Sequence, residues 1–542
     1  MTDLGELISA LEEVADLLEV AGDSSFRVAS YRRAARQLKS SSLSAEELAA
    51  GRFLQVSGIG PQLSAQLSEL WSSGHLGLLE ELKAQVPEGV RELLGLRGVG
   101  PGTARALWEA DIAGPQALLE ACRSGQVAQL PGFGPKKQAA LQAAAEFFLA
   151  SAGQLRIAQA EQLAQIVQAG DPSCLPVGQL RRRLELVGAL EFLGTHPPEE
   201  GNWEKLPHGA WQGTLRGYPV TLHPQRAGGR AAQQLVLSGS AEFVALACRR
   251  AEKLGLRLDD RGLWKGAELV EVGSEEELLA LLGLGGWPPE LREPEHTAWW
   301  PEDPPTLVET GAIRQLLHVH SRASDGTPTL RELAEAARQR GCALGSADHS
   351  RSASYAHGLS VSALRSQLQE IRALQGEGYQ IWAGSEVDIL ADGSLDYPDE
   401  VLAELDYVVA SVHSHFDLTE AAQTERLIRA VQHPLVTILG HPSGRLLLRR
   451  PGYQADLGAV LEAALSSKTI IEINANPHRL DLDWRLALRW RKRLRFAVNT
   501  DAHSLSGLDD LRYGVWMARK AGLGPEDLLN TAAADQPPRK EG

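Results

Sequence analysis

The stretch QLLHVH, residues 315–320, is a short apolar run that closes on two histidines, and its form returns six times in the rest of the chain. ALGSADH (343–349), QIWAGSE (380–386), YVVASVH (407–413), VTILGH (436–441), TIIEIN (469–474) and FAVNTDAH (496–503) follow it, separated by segments of helical periodicity. Short apolar runs alternating with helices are the pattern of parallel β/α units. Seven of them predict a barrel over residues 313–533.

Six of the seven runs end in residue types that bind metals, and the C-terminal rim of a parallel barrel is where such folds place their sites. His318 and His320 end the first, with Asp325 in the loop beyond. Asp348 and His349 end the second, Glu386 the third, His413 the fourth, His441 the fifth, and Asp501 and His503 the seventh. One histidine at a strand end is ordinarily a satisfied structural residue, whereas imidazoles and carboxylates converging from six strands serve metal binding. There are more ligands here than one four-coordinate ion can use, which predicts two or three divalent ions. Mixed nitrogen and oxygen donors suit zinc, manganese or iron better than calcium. Such ions lower the pKa of a bound water and offset charge on a phosphoryl oxygen, so phosphoester hydrolysis is the expected chemistry. Arg445 in GHPSGR and Arg479 in NPHRLDL follow strand ends. Each is a candidate phosphate clamp, the alternative being a structural salt bridge.

At 542 residues the chain exceeds one hydrophobic core, and three or four domains are expected. Its 43% hydrophobic and 23% charged residues are those of a soluble globular protein. No apolar run approaches a membrane span, and the opening MTDLGELISALEEVADLLEVAG is acidic and amphipathic rather than signal-like, so a cytoplasmic protein with no membrane contact is expected. Cys122, Cys174, Cys248 and Cys342 are scattered, as reduced thiols are. A net charge of −15 means that any nucleic-acid contact must be local.

Residues 1–150 read as short helices separated by glycine turns, divided into 1–82 and 83–150. VSGIGPQLSAQL (56–67), LRGVGPGTARAL (96–107) and LPGFGPKKQAAL (130–141) each open an amphipathic helix with G-x-G-P. Backbone amides converging at a helix N-terminus suit a phosphate oxygen, which nominates Gly58, Gly60, Gly98, Gly100, Gly132, Gly134 and the adjacent Lys136. The three turns resemble the helix-hairpin-helix motif, which implies sequence-independent contact with the DNA backbone. Arg32, Arg36 and Lys39 add a basic helical face, or a merely solvated one. Residues 151–285 mix strand-like pieces with helices as an α+β unit would. The Pro- and Trp-rich linker 286–312 cannot be a regular helix, and its tryptophans suggest that it packs down. The tail 534–542 is expected to be disordered, and the protein to be a monomer.

The strand-end residues resemble the PHP (polymerase and histidinol phosphatase) domain, whose H-x-H, D-H, G-x-E, S-V-H, G-H-P and D-A-H motifs all stand in the sequence. That resemblance implies a trinuclear metal site held by His318, His320, Asp325, His349, Glu386, His413, His441, Asp501 and His503. Leu316 departs from it, since the family usually carries an acid two residues before the first histidine. GSEVDILADGSLDYPDEVLAELD (384–406) and EINANPHRLDL (472–482) resemble one branch, the bacterial family X DNA polymerases with a C-terminal PHP domain. The likeness extends over nearly the whole chain. FRVASYRRAAR (26–36) is similar to the family's DNA-gripping domain, and GQLRRRLELVGALEFL (178–193), LSGSAEF (237–243) and GWPPELRE (286–293) to its palm and fingers.

In that family residues 178–191 should read roughly G-S-x-R-R-x-x-x-x-x-G-D-x-D, with a third aspartate on a nearby strand, so that three carboxylates hold two magnesium ions. Here Gln179 replaces the serine, and the aspartate positions hold Ala189, Glu191 and, in PVTLHP, Thr221. Arg181 and Arg182 are expected to hold phosphate, and Glu185 to lie back in the turn. The lyase lysine of some members, in the helix after the first hairpin, is Gln66, and an amide forms no Schiff base. The resemblance thus implies a DNA-repair protein with helical hairpins, a decayed nucleotidyltransferase-like centre, and a (β/α)7 barrel acting as a metal-dependent 3′–5′ exonuclease. A working polymerase, a phosphatase of the histidinol phosphatase kind, and a non-catalytic DNA-binding scaffold are the rival readings.

Overall fold

A computed structural model of the chain describes residues 4–39, 47, 50–300 and 303–539. It divides into two compact units, the first ending at Ala152 and the second running from Gly153 onward apart from Leu448–Arg450.

Among its described residues the first unit is entirely helical. In the helix Leu4–Ala21, Leu7, Leu11, Val14 and Leu18 recur every three or four residues, so they share one face and join Ala34, Leu38, Leu67 and Leu107 in a common apolar cluster. The three G-x-G-P turns repeat one conformation. Gly58, Gly98 and Gly132 take φ of 84°, 82° and 78°, left-handed backbone that favours glycine, and Gly60, Gly100 and Gly134 cap helices whose first residue is proline.

The second unit begins with a five-stranded sheet in the order Leu175–Val177, Leu190–Gly194, Tyr218–Pro224, Trp211–Leu215, Asn202–Lys205. Only its second and third strands run parallel. An antiparallel sheet of Arg257–Asp259, Gly262–Lys265 and Glu268–Val270 follows, packed with the helices Arg230–Ser238, Ala241–Lys253 and Glu275–Leu281. Trp287 and Trp300 of the Pro- and Trp-rich stretch are buried in the cluster that this sheet and these helices share.

The barrel strands are β1 (Gln315–Val319), β2 (Ala343–Ser346), β3 (Ile381–Asp388), β4 (Tyr407–Ser411), β5 (Ile438–Leu439), β6 (Ile470–Asn474) and β7 (Phe496–Asn499). All neighbours are parallel and in sequence order, with helices between them. A bridge between Val319 and Ala502, and a hydrogen bond from His320 N–H to the Ala502 carbonyl (2.9 Å), bring the first and last strands together into a nearly closed barrel. Tyr407 fills the interior, donating its hydroxyl to the carbonyls of Leu317 (2.7 Å) and Ser346 (2.9 Å). A Cβ at Gly384 would stand 2.3 Å from its ring, so β3 needs glycine there.

Strand β1 has a register shift between Leu316 and Val319. Strict alternation would place His318 on the face opposite Leu317, whose side chain packs inside the barrel. The irregularity changes the phase, so Val319 joins the outer apolar cluster while His318 and His320 both reach the ligand cluster at the barrel's rim.

Buried residues of the five-stranded sheet and of the barrel belong to one apolar cluster. Across this junction Arg181, Arg182 and Arg183 each meet a different buried glutamate: Glu275 at 2.5 Å, Glu293 at 2.9 Å and Glu290 at 3.5 Å. The expectation that Arg181 and Arg182 hold phosphate is therefore corrected, because their guanidinium groups are committed to internal carboxylates. Glu185 does lie in the turn region before Leu186–Val187, and it is buried there, accepting from Trp484 Nε1 at 3.1 Å and Arg485 Nη1 at 2.5 Å. Lys520, fully buried at the end of the helix Leu511–Lys520, places Nζ 3.1 Å from Glu293. In the stretch expected to be disordered, the Gln536 carbonyl accepts from the Gln315 amide at 2.6 Å, and residues 540–542 lie outside the described residues.

Glu293→Ala would strand the buried Lys520 and the partly buried Arg182, and breaking buried pairs of this kind costs about 3–5 kcal/mol. The urea midpoint of tryptophan fluorescence should fall clearly for Glu293→Ala. It should barely move for Glu377→Ala, whose partner Arg331 is exposed. Equal shifts would contradict the role given to Glu293.

Candidate metal centre

The rim of the barrel gathers all nine candidate residues, eight from the strand ends and Asp325 from the loop after β1. His320, Asp325, His349 and His503 form one grouping, His318, His320 and Glu386 a second, and His349, Glu386 and His413 a third, with ligand atoms in each within 4.8 Å of one another. His441 Nε2 stands 2.9 Å from Glu386 Oε1, and Asp501 Oδ1 lies 3.2 Å from His320 Nε2. Both His441 (φ 25°) and Asp501 (φ 52°) hold positive-φ backbone, a local strain that recurs at functional sites.

The donor set suits metal ions for a second reason. Both ring nitrogens of His320, Nε2 of His318, Nδ1 of His349 and Oε2 of Glu386 are buried without a hydrogen-bond partner, a condition that would be costly unless another ligand satisfies them. Burial opposes ionisation of Glu386, yet the imidazoles of His413, His318 and His349 hold its carboxyl well below the usual range. Burial pushes the His320 imidazole down to about 3, helped by His503 and His349 beside it. Burial also disfavours charge on His413, but Glu386 and Asp388 outweigh it and raise the ring to about 10.

Three further carboxylates, of which the strand-end pattern marked only Asp348, hold the candidate ligands in place. Glu472, in the one apolar run without a terminal ligand, is fully buried and takes four donors. These are His318 Nδ1 (2.7 Å), the His441 amide (2.7 Å), Asn499 Nδ2 (2.9 Å) and Asn474 Nδ2 (3.1 Å). Asp388 orients His413 through Nδ1 at 2.6 Å. Asp348, counted among the strand-end residues, binds Ser321 N–H (2.8 Å), Ser321 Oγ (2.6 Å), Ser324 Oγ (2.5 Å) and Gln367 Nε2 (2.5 Å), and so fixes the loop after β1. A charged residue inside TIIEIN was the available signal for Glu472, since acids are rarely buried unless paired.

The two candidate clamps separate. Arg479 reaches the cluster, with Nε 3.3 Å from Asp501 Oδ2. Arg445 turns its guanidinium inward to the carbonyls of Arg479 (3.0 Å) and Leu480 and to Asp483 (2.6 Å). On the five-stranded sheet, Glu191 and Thr221 are in register on adjacent parallel strands and Ala189 lies two residues before Glu191, so the three positions do meet, and of the three only Glu191 brings a carboxylate. Its Oε1 lies 3.3 Å from His223 Nε2. Gln66 accepts a hydrogen bond from the Tyr31 hydroxyl at 2.8 Å.

Residues 5–76 match the helix-hairpin-helix domain family and residues 90–146 the SAM-like helix-hairpin-helix tandem. Residues 234–293 match the DNA polymerase beta thumb, and residues 317–476 the PHP domain. The DNA polymerase/3′-5′ exonuclease PolX of Bacillus subtilis (strain 168) aligns over 97% of this chain and 97% of its own length, at 33% identity. The chain belongs to the bacterial family X DNA polymerases. Shorter stretches of it resemble proteins named as probable phosphatases. One from Thermoanaerobacter sp. (strain X514) is 31% identical over 29% of this chain and 65% of that protein. Another, from Caldanaerobacter subterraneus subsp. tengcongensis, is 39% identical over 18% and 38%. The hairpin and thumb families indicate DNA binding, and the thumb match contains Glu275, Glu290 and Glu293, the partners of Arg181–Arg183 in this family X chain. Among the described residues no helix is long and apolar enough to cross a membrane.

Glu472→Gln keeps the shape of the side chain but removes the charge that orients His318. Losing such a support typically weakens metal affinity by about 10–100-fold. Competition with a chelating dye for manganese measures it, with far-UV circular dichroism as the check on folding. Undiminished affinity would refute the orienting role.

Proposed function

We propose that this chain is a DNA-repair nuclease whose barrel hydrolyses phosphodiesters from the 3′ end with two or three divalent ions (manganese, zinc or iron), and whose five-stranded sheet no longer transfers nucleotides. The observation that carries the reading is the contrast between two sites in one compact unit. At the barrel rim seven candidate ligands fall into three groupings, with His441 and Asp501 beside them and donor atoms left without hydrogen bonds, while of the three aspartate positions only Glu191 keeps a carboxylate.

His318, His320, Asp325, His349, Glu386, His413, His441, Asp501 and His503 would hold the ions. Ions bound there would supply a water of lowered pKa and offset charge at the phosphoryl oxygen. Arg479, beside Asp501, is placed to meet a phosphoryl oxygen, whereas the contacts of Arg445 favour its salt-bridge reading. The hairpin turns would hold backbone phosphates. Gly60, Gly100 and Gly134 have extended backbone, and nothing lies within 4 Å of where a Cβ would stand, so neither strain nor internal packing asks for glycine there. Open approach to their amides does, with Gly58, Gly98 and Gly132 shaping the turns and Lys136 beside the third. Gln66 supplies no amine for lyase chemistry. The working form is a cytoplasmic monomer that contacts DNA without reading its sequence.

His320→Ala and Asp501→Ala should each lower release of nucleotides from a 5′-labelled oligonucleotide at least about 100-fold, the scale on which misplaced reacting groups lose rate. Rapid hydrolysis of histidinol phosphate with no action on DNA would replace the nuclease reading by the phosphatase one. On a primed template with magnesium or manganese, no extension above background is expected. Extension abolished by Glu191→Ala would show that the sheet still works.

A further inference from the structure

Tyr355 stands at the edge of the ligand cluster with 66% of its surface exposed, whereas Tyr397, Tyr407 and Tyr513 are buried in the barrel region and Tyr379 and Tyr453 partly so. Its ring centroid lies 6.3 Å from those of His349 and His413, inclined to them by 57° and 66°. Neither imidazole is stacked on it.

The loop that presents this ring is rigid. Ala353 and Ala356, on either side, are fully buried, and the Ala356 and Gly358 amides donate to the Ala353 carbonyl at 2.9 and 3.1 Å. A Cβ at Gly358 would overlap the Ser350 carbonyl, so the return of the loop is packed backbone on backbone. Asp396 ties down the approach, accepting from Arg351 Nε (3.0 Å) and the Ser352 amide (2.7 Å). At the loop's ends, Leu359 N–H reaches the His349 carbonyl (2.8 Å) and Ser350 N–H reaches that of Glu386 (2.9 Å), so Tyr355 is fixed to two of the ligand residues themselves.

An aromatic ring held out in water on a rigid support beside a phosphoester site is pre-organised for a flat partner. Stacking on aromatic side chains is how proteins hold unpaired bases without reading them. We infer that Tyr355 is a stacking platform for the base of the 3′-terminal nucleotide, which selects nucleic-acid strands over small phosphate esters at this site. The inference rests on the nuclease reading above. It adds the substrate group recognised beside the scissile phosphate, and an unpaired or frayed 3′ end is the form of strand that can offer it.

The test uses the full-length protein with manganese and two 5′-labelled single strands, one ending in an ordinary nucleotide and one in a 3′-terminal abasic tetrahydrofuran nucleotide. The wild type should show a KM about 10- to 100-fold lower for the strand with the base, the range that one stacked base provides. Tyr355→Ala should erase that ratio by raising KM on the base-containing strand, while Tyr355→Phe and Tyr355→Trp preserve it. The ratio is internal to each protein, so a partly misfolded variant does not mimic the result. Equal KM values in the wild type, an unchanged ratio in Tyr355→Ala, or a Tyr355→Phe variant that behaves like alanine would each overturn the stacking role while leaving the nuclease reading standing. No cleavage of either strand by the wild type would overturn both.

Discussion

Five imidazoles converge on one buried carboxylate. Around Glu386, His441 stands at 2.9 Å, His349 at 3.0 Å, His318 and His413 at 3.3 Å, and His320 at 3.6 Å. So many titratable groups cannot share a dry interior in one charge state, because burial disfavours every charged form that is not paired. The balance is uneven: acids raise His413 and His503 although burial opposes it, and burial depresses His320. Divalent ions would settle that balance at a stroke, giving the orphaned nitrogens a partner and the carboxylates a counter-charge. The rest of the barrel is the device that keeps these groups together.

That device works through acids that are not themselves ligands. Glu472 joins the ends of β1, β5, β6 and β7 by accepting from His318, His441, Asn474 and Asn499. A two-stranded antiparallel pairing of Leu155–Arg156 with Leu186–Val187, just before the strand that carries Glu191, contributes from outside the barrel. Arg156 hydrogen-bonds His478, next to Arg479 in sequence, and Glu185 binds Arg485, which together with Arg445 faces Asp483. The chain around that pairing thus braces the loop that carries Arg479 to Asp501.

The barrel and its ligands were legible because parallel strands send their last residues to one rim, so chemistry there is written in strand-end positions. The three similar hairpin turns were legible because each needs its G-x-G-P locally. The β1 register shift was not, since strict alternation in QLLHVH gives no sign of the change of phase. Nor were the partners of Arg181, Arg182 and Arg183. Their glutamates lie about a hundred residues away, at the end of the α+β stretch and in the linker after it, and a local pattern of three arginines looks the same whether it awaits phosphate or already holds a carboxylate. Glu472 lay between these cases, visible as a charge in an apolar strand but silent about what it supports.

Those three arginines bear on the proposed loss of nucleotide transfer as much as the absent aspartates do. A nucleoside triphosphate drawing on even two of them would take from two buried glutamates one of the cations that each holds, leaving Glu275 with Arg292, Glu290 with Arg519 or Glu293 with Lys520. Breaking a buried pair outright costs about 3–5 kcal/mol, which bounds the loss at each glutamate from above. The whole binding free energy of a micromolar ligand is only about 8 kcal/mol. Without metal carboxylates at 189 and 221 to anchor the phosphates, little offsets even part of that cost, which favours the arginines staying where they join the sheet, the thumb and the barrel. The same groups that would serve nucleotide transfer in an open site serve rigidity in this one, and that rigidity sits behind the loop that brings Arg479 to the metal cluster.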